Sequence, residues 1–224
     1  MKRILVAVLA VALFASVLTG CSTSGKEQVL NVNWQQEPPD MDPQTTTDQI
    51  SFWLTNATLE GLFRYQPDGS LGDGLAKTYE VSDDKLTYTF HLRDANWSDG
   101  TPITAEDFAY AWMRALDPAT ASEYSYMLYC IQNGEAYNTG AITDPSEVGV
   151  KVIDDKTLEV TLVQPTPYFL GLTTFPTYLP AQKAAVEQWD EEFALEAEKM
   201  VYSGPFIISE WIHEQSLTLT KNPE

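Results

Sequence analysis

The chain has 224 residues, of which 44% are apolar and 12% aromatic, and a formal net charge of −19. That apolar content belongs to a folded domain and not to an acidic disordered tail. The acidic balance argues against nucleic acid as a partner, because no basic patch is present to neutralise phosphates, and against adhesion to anionic lipid by charge alone.

The first residues read as a targeting segment. Lys2 and Arg3 precede a run, Ile4 to Leu18, that is apolar apart from Ser16. The run is short of the roughly 20 residues a spanning helix needs. It ends in "LTGC", which resembles the lipobox of bacterial lipoproteins. The resemblance implies a signal peptide over 1–20, cleavage before Cys21, and lipid on that cysteine; an ordinary secretory signal that happens to precede a cysteine is the alternative. Loss of Lys2 and Arg3 moves the net charge from −19 to −21. Residues 21–26 are polar and read as a flexible tether, so the expected attachment is a membrane surface reached through an acyl chain.

The alternation in "QVLNVNW", Gln28 to Trp34, predicts a strand, and the prolines of "QEPPDMDPQ" predict a loop after it. Apolar residues at Phe52, Leu54, Ala57, Leu59 and Leu62 predict a helix to about Glu60, stopped at Gly61. "YQPDGSL" is a turn. Two later segments share one plan of strand, Asp-Asp-Lys turn and strand: Tyr79 to Arg93 and Val150 to Gln164. Their alternation places Leu86, Tyr88, Phe90 and Leu92 on one face, and Leu158, Val160 and Leu162 on another, as two hairpins of one small sheet. Asp side chains at such turn tips bond to nearby backbone.

Between the hairpins, "TAEDFAYAWMRALDP" and "SEYSYMLYCIQNGEAYNTG" both read as helical. Thr104 is an N-cap, with Asp107 in the place of the capping-box acid and Glu106 at the positive end of the dipole. Phe108, Ala111, Trp112, Ala115 and Leu116 form an apolar stripe. After Gln164, "PTPYFLGLTTFPTYLP" has no clean period and reads as a crossover. "AQKAAVEQWDEEFALEAEKM" reads as one helix or two, and "YSGPFIISEWIHEQSLTLTKN" as two strands about a turn, with no closing element after them. A strand, an inserted sheet region and a return to helix and sheet suggest a discontinuous first domain.

Catalytic constellations are weak. His91 and His213 are far apart in sequence and neither accompanies a nucleophile motif. Two histidines and the lone Cys130, which reads as buried and inert, do not make a zinc site. No Gly-rich phosphate loop is present, and neither "DDK" nor "PDMDP" has calcium-loop spacing. Paired carboxylates of the glycosidase kind would arise by chance among 32 acids. In "WSDGTPITAEDFAYAWMR", Asp99-Gly100 is a turn and Glu106 and Asp107 start a helix. Tyr110 lies roughly opposite the apolar stripe, with Arg114 one turn on. It is either an ordinary exposed tyrosine or a hydrogen-bonding aromatic facing a cleft.

The stretch "SDDKLTYTFHLRDANWSDGTPITAEDFAYAWMR" resembles the peptide-binding lipoproteins of ABC importers, the dipeptide/oligopeptide/nickel class of extracellular solute-binding protein family 5. "PPDMDPQ", "LEGLFRYQPDG", "DPATASEYSY", "VKVIDDKTLEVTLVQPTPYF", "AVEQW" and "SGPFIISEW" follow in the family's order, and "DPATASEY" is most similar to the oligopeptide branch. The resemblance implies a mixed α/β (α+β) fold of the periplasmic-binding-protein kind, a two-lobe hinged clamp. Residues 27–48 and 166–224 would then be a discontinuous, incomplete first lobe, 49–165 an inserted α+β domain carrying both hairpins, and the second lobe missing. It further implies an extended oligopeptide held through its backbone, closure and presentation to the ABC permease subunits, no cofactor, no metal and no enzyme activity. The expected protein is a monomer, lipid-anchored on the outer face of the bacterial cytoplasmic membrane. By motif, Glu37, Pro38, Pro39 and Tyr110 are the ligand-binding candidates, although the prolines have no N–H to donate. A nickel chelate, sugar, haem or peptide pheromone on the same fold remains an alternative, as does an extracellular carboxylate-based hydrolase.

Overall fold

The computed structural model describes residues 28–224. The expected signal peptide, Cys21 and the tether lie outside the described residues. Of the described residues, 28–35 belong to one unit and 36–224 to another. In the first, residues 28–34 form no strand. Alternation makes a strand only where a ladder partner accepts it, and among the described residues none pairs with this segment. Val29, Leu30 and Val32 are exposed, and Gln35, at φ 64°, donates its N–H to Asn33 Oδ1 at 2.9 Å.

In the second unit, helix α1 (Gln49–Thr58) starts at Asp48, whose Oδ1 accepts from the N–H groups of Ile50 and Ser51. It ends two residues before the predicted stop, because Leu59 turns into extended backbone. Gly61 serves a different purpose from stopping the helix: a Cβ there would sit 3.1 Å from Leu179 and 3.3 Å from the Thr173 carbonyl. A short hairpin, β1 (Phe63–Tyr65) with β2 (Leu71–Asp73), follows.

The two Asp-Asp-Lys hairpins form one antiparallel sheet. Strands β3 (Ala76–Val81), β4 (Thr87–Leu92), β5 (Val150–Asp154) and β6 (Thr157–Thr161) lie in the order β3-β4-β6-β5. Asp84 Oδ1 accepts from Ser82 Oγ at 2.5 Å and Leu86 N–H at 3.1 Å, and Asp154 Oδ1 from Lys156 N–H at 2.8 Å. Each tip is therefore built by its own side chains. Tyr88, Phe90, Leu92, Leu158, Val160 and Leu162 are buried on one face.

Against this sheet packs α2 (Ala105–Leu116). Its stripe Phe108, Ala111, Trp112, Ala115 and Leu116 is fully buried, and the Trp112 indole donates to the Tyr178 carbonyl at 2.8 Å. Asp107 Oδ2 accepts from Thr104 N–H at 2.8 Å, the reciprocal bond of a capping box.

The second predicted helical stretch is mostly not helix. It holds a 3₁₀ turn, Ser125–Leu128, and the five-residue α3 (Gly134–Asn138). Asn133 takes a left-handed conformation, φ 59°, and Ile131 bridges to Leu162 just past the end of β6, so the backbone breaks where the sheet recruits it. Cys130 is half-buried, its Sγ 3.5 Å from Tyr178 Oη. The crossover contains α4 (Phe169–Leu172), whose Phe169 fills the core between Tyr88 and Tyr178. In the later helical prediction only α5 (Lys183–Trp189) forms; positive φ at Asp190 and Ala194 ends regular winding. The final hairpin pairs β7 (Phe206–Ile212) with β8 (Ser216–Lys221).

Candidate ligand-binding site

Sequence reasoning placed one site residue, Tyr110, on α2 and three, Glu37, Pro38 and Pro39, on the loop before α1. One ion pair connects these two elements. Arg114, one turn beyond Tyr110, grips Asp42 with both guanidinium nitrogens, Nη1 to Oδ1 at 2.8 Å and Nη2 to Oδ2 at 2.6 Å, and reaches Gln44 Oε1 at 3.3 Å. The fork-to-fork geometry fixes direction as well as distance. Asp42 is buried, and the Arg114 guanidinium lies 5.8 Å from the centroid of Phe193.

Tyr110 is half-buried while the stripe behind it is sealed. Lys183 Nζ, from the start of α5, lies 5.9 Å from its ring centroid and 3.7 Å from Glu187 Oε1. Burial raises the Tyr110 phenol above its ordinary value, against the pull of Arg114, so the group is a neutral donor and acceptor at neutral pH.

The loop candidates divide. Pro38 is buried and Pro39 exposed. The Glu37 carboxylate is occupied on both oxygens: Oε1 accepts from Trp211 Nε1 at 2.6 Å and faces His213 Nδ1 at 2.5 Å, and Oε2 accepts from Glu214 N–H at 2.7 Å. Partial burial alone would raise its pKa, but the Glu214 N–H, the indole and His213 hold it below the ordinary glutamate value. Asp40, two residues before the Arg114 partner, is pushed up to about 6 by burial and by the neighbouring Asp42 and Asp48 carboxylates, against the N–H of Asp42 that it accepts.

Sequence reasoning missed Asp42, Lys183, His213 and Glu196 as parts of this neighbourhood. Their partners lie 72, 176 and 17 positions away for the Arg114, Glu37 and His213 contacts, and no local pattern encodes such pairs. A weak signal did exist for Asp42: it lies among other acids in a proline loop, where a single acid on ordinary coil would be unremarkable. Among the described residues no group of His, Cys, Asp and Glu could hold a metal ion.

Residues 71–224 match the family model of the bacterial extracellular solute-binding proteins, family 5. The chain belongs to this family. Among curated family 5 relatives, the oligopeptide-binding protein OppA of Bacillus subtilis is 42% identical over 212 residues, covering 92% of this chain and 39% of the relative. Of solved structures, Listeria monocytogenes OppA bound to peptide superposes with a TM-score of 0.86 at 39% identity, over 89% of this chain and 40% of that one. The pheromone receptor PrgZ, solved for its mode of peptide binding, gives 0.80 at 34% identity over 84% of this chain and 38% of that one. The chain thus spans about two-fifths of the length of the family 5 proteins it matches. The mixed α/β fold is that of their periplasmic-binding-protein-like domains.

Proposed function

We propose that the chain supplies the peptide-facing part of a solute-binding lipoprotein that captures extracellular oligopeptides and delivers them to the permease of an ABC importer. The observation that carries this reading is the 42% identity to an oligopeptide-binding relative, sustained over 212 residues. In the proposal, 27–48 and 166–224 form one lobe and 49–165 an insertion within it. An extended peptide lies against Tyr110 and the loop Glu37–Pro39, and a second lobe closes over it. The arrangement of groups agrees with capture and not catalysis. Asp99 and Asp107 are engaged in a turn and a cap, Glu106 is exposed, and Tyr110 offers a neutral hydroxyl to a peptide backbone. Because both Glu37 oxygens already face donors of the β7–β8 hairpin, its part in the proposal is to shape the loop. Lipid on Cys21 would hold a monomer at the outer face of the bacterial cytoplasmic membrane. No helix among the described residues is long and apolar enough to cross it.

A second reading keeps the fold and changes the purpose, from nutrient uptake to signalling, and is favoured by the likeness to the pheromone receptor. Both readings are tested together by fusing this chain, after Glu224, to the remainder of the Bacillus subtilis relative. The fusion is checked for cooperative melting, then exposed to a mixed peptide pool, a synthetic pheromone set and a panel of sugars, haem and nickel chelates. Retention of peptides of varied sequence supports uptake, retention of one pheromone supports signalling, and a folded fusion that retains only a sugar, haem or nickel chelate overturns the peptide reading.

A further inference from the structure

A second polar constellation besides the Arg114–Asp42 pair gathers around His213. The imidazole sits at the tip of the β7–β8 hairpin, half-exposed, with Nδ1 2.5 Å from Glu37 Oε1 and Nε2 3.1 Å from Glu196 Oε2. Carboxylates only accept, so the ring satisfies both partners at once only as the doubly protonated imidazolium. The Trp211 ring lies beside it, centroids 4.9 Å apart at 32°, and sends its own N–H to the same Glu37 oxygen. Glu214, left-handed at φ 61°, turns its backbone N–H to the other Glu37 oxygen. Three separate segments therefore meet at one ring: the loop carrying Glu37, the irregular stretch carrying Glu196, and the hairpin tip.

We propose that His213 is a positioning residue, a cationic latch that holds the Glu37–Pro39 loop against the β7–β8 hairpin and so sets that loop for ligand. The inference rests on the reading of the loop as part of the peptide site. Its geometry makes a directional demand. With one proton the ring can donate to only one of its carboxylates, and the other pair then becomes acceptor facing acceptor. The titratable groups that face the ring are Glu37 from the loop and Glu196 from the stretch after α5. On the hairpin itself Glu214 approaches only through its backbone. Both carboxylates favour the cation, Glu196 most strongly, so His213 titrates above its ordinary value. A base with a raised folded-state pKa lends its stabilisation fully below the unfolded value and loses it as pH rises through the folded one. Glu37, held below its ordinary value, loses its share as pH falls through that lowered value. The latch is therefore closed between the lowered Glu37 value and the raised His213 value, a window that includes mildly acidic conditions.

The test follows ring protons of the two histidines and the Trp211 indole N–H by NMR in the full chain across pH, with Trp211→Phe to assign the indole signal. The expected result is that His213 titrates above the ordinary histidine value, that the Trp211 and Glu214 N–H signals shift with the same midpoint, and that His213→Gln abolishes that shared step while the sheet signals of β4 and β6 stay in place. Titration of His213 with no movement of the Trp211 or Glu214 signals overturns the latch and leaves peptide capture standing. A shared midpoint in a fusion that captures no peptide leaves the latch standing and overturns the proposed function. In a fusion that does capture peptide, the latch also requires that affinity fall on raising pH through the His213 midpoint and that His213→Gln remove this dependence. A pH dependence unchanged in the variant overturns the positioning role.

Discussion

The sheet with α2 and the loop-and-hairpin region around Glu37 are held by opposite kinds of contact. The first is an apolar interior: Phe90, Phe108, Trp112, Leu158 and Val160 are fully buried, Phe90 beside Phe63 and Phe108 beside Trp112. The second is held at its edges by charge, with Arg114 on Asp42 and His213 between Glu37 and Glu196. Apolar burial is roughly proportional to area and indifferent to pH. Paired charges are directional, titrate, and cost most when one partner is removed. Under the proposed reading this division would keep a pH-indifferent frame beside a loop whose contacts titrate, in the part proposed to meet a ligand.

The largest expected effect breaks the apolar side. Phe90 is fully buried, with ring neighbours Phe63 and Phe169 at 6.1 and 6.3 Å. Phe90→Ala should lower stability by about 4 kcal/mol. Urea unfolding should give that loss unchanged between pH 5 and pH 8. A loss that varies with pH would mean the sheet is coupled to the charged region and the contrast is misplaced.

Next comes the charged side. Arg114→Met keeps an apolar stem of similar length but removes the guanidinium from over Phe193 and strands the Asp42 carboxylate, which is 5% exposed. The cost should be about 3 kcal/mol. Asp42→Asn in the same background should recover part of it by removing the unpaired charge, read as a double-mutant cycle in urea midpoints. Additive effects of the two substitutions would show that the pair does not tie α2 to the loop.

These two regions also differ in how far the sequence disclosed them. The hairpins were legible because their information is local: Asp84 and Asp154 bond within two residues, and period-two alternation sorts faces along one strand. The α2 stripe and its cap were legible for the same reason. The strand expected at 28–34 depended on a ladder partner that alternation cannot supply. The helix expected over Ser122–Gly140 failed at Asn133 because a distant strand end, Leu162, takes up the Ile131 backbone. At the candidate site, Tyr110 was separable from the stripe by angle alone. The roles of Glu37 and Asp42 were hidden, since each is decided by residues from 72 to 177 positions away.

A smaller effect separates capping from chemistry. Asp107→Ala removes the acceptor for the Thr104 N–H and should cost about 1 kcal/mol. Glu106→Ala, on an exposed side chain, should change stability by less than about 0.5 kcal/mol. Neither should alter peptide retention by the fusion once both variants are folded. Loss of retention in the folded Asp107→Ala variant would move that acid from scaffold to site.

The last effect has the opposite sign and sharpens the contrast most. Asp40 is held at about 6, first by burial and then by the Asp42 and Asp48 carboxylates. An acid whose folded value lies above its unfolded value binds its proton more readily when folded, so the folded state loses stability as pH rises between the two values. Above about pH 6 the whole penalty is present, and below the unfolded value none of it is. Asp40→Asn removes the charge yet keeps an oxygen to accept the Asp42 N–H. It should therefore stabilise the protein at pH 7 by about 1 kcal/mol, the linkage value discounted for solvent screening of a partly exposed group, and change nothing at pH 3.5. Urea midpoints at the two pH values read the difference directly. A variant equally stable at pH 7 would mean that the loop carries no stored repulsion. A stabilised variant would mean that the loop beside Tyr110 keeps, at neutral pH, a charge its surroundings disfavour, in the part of the molecule proposed to meet a ligand.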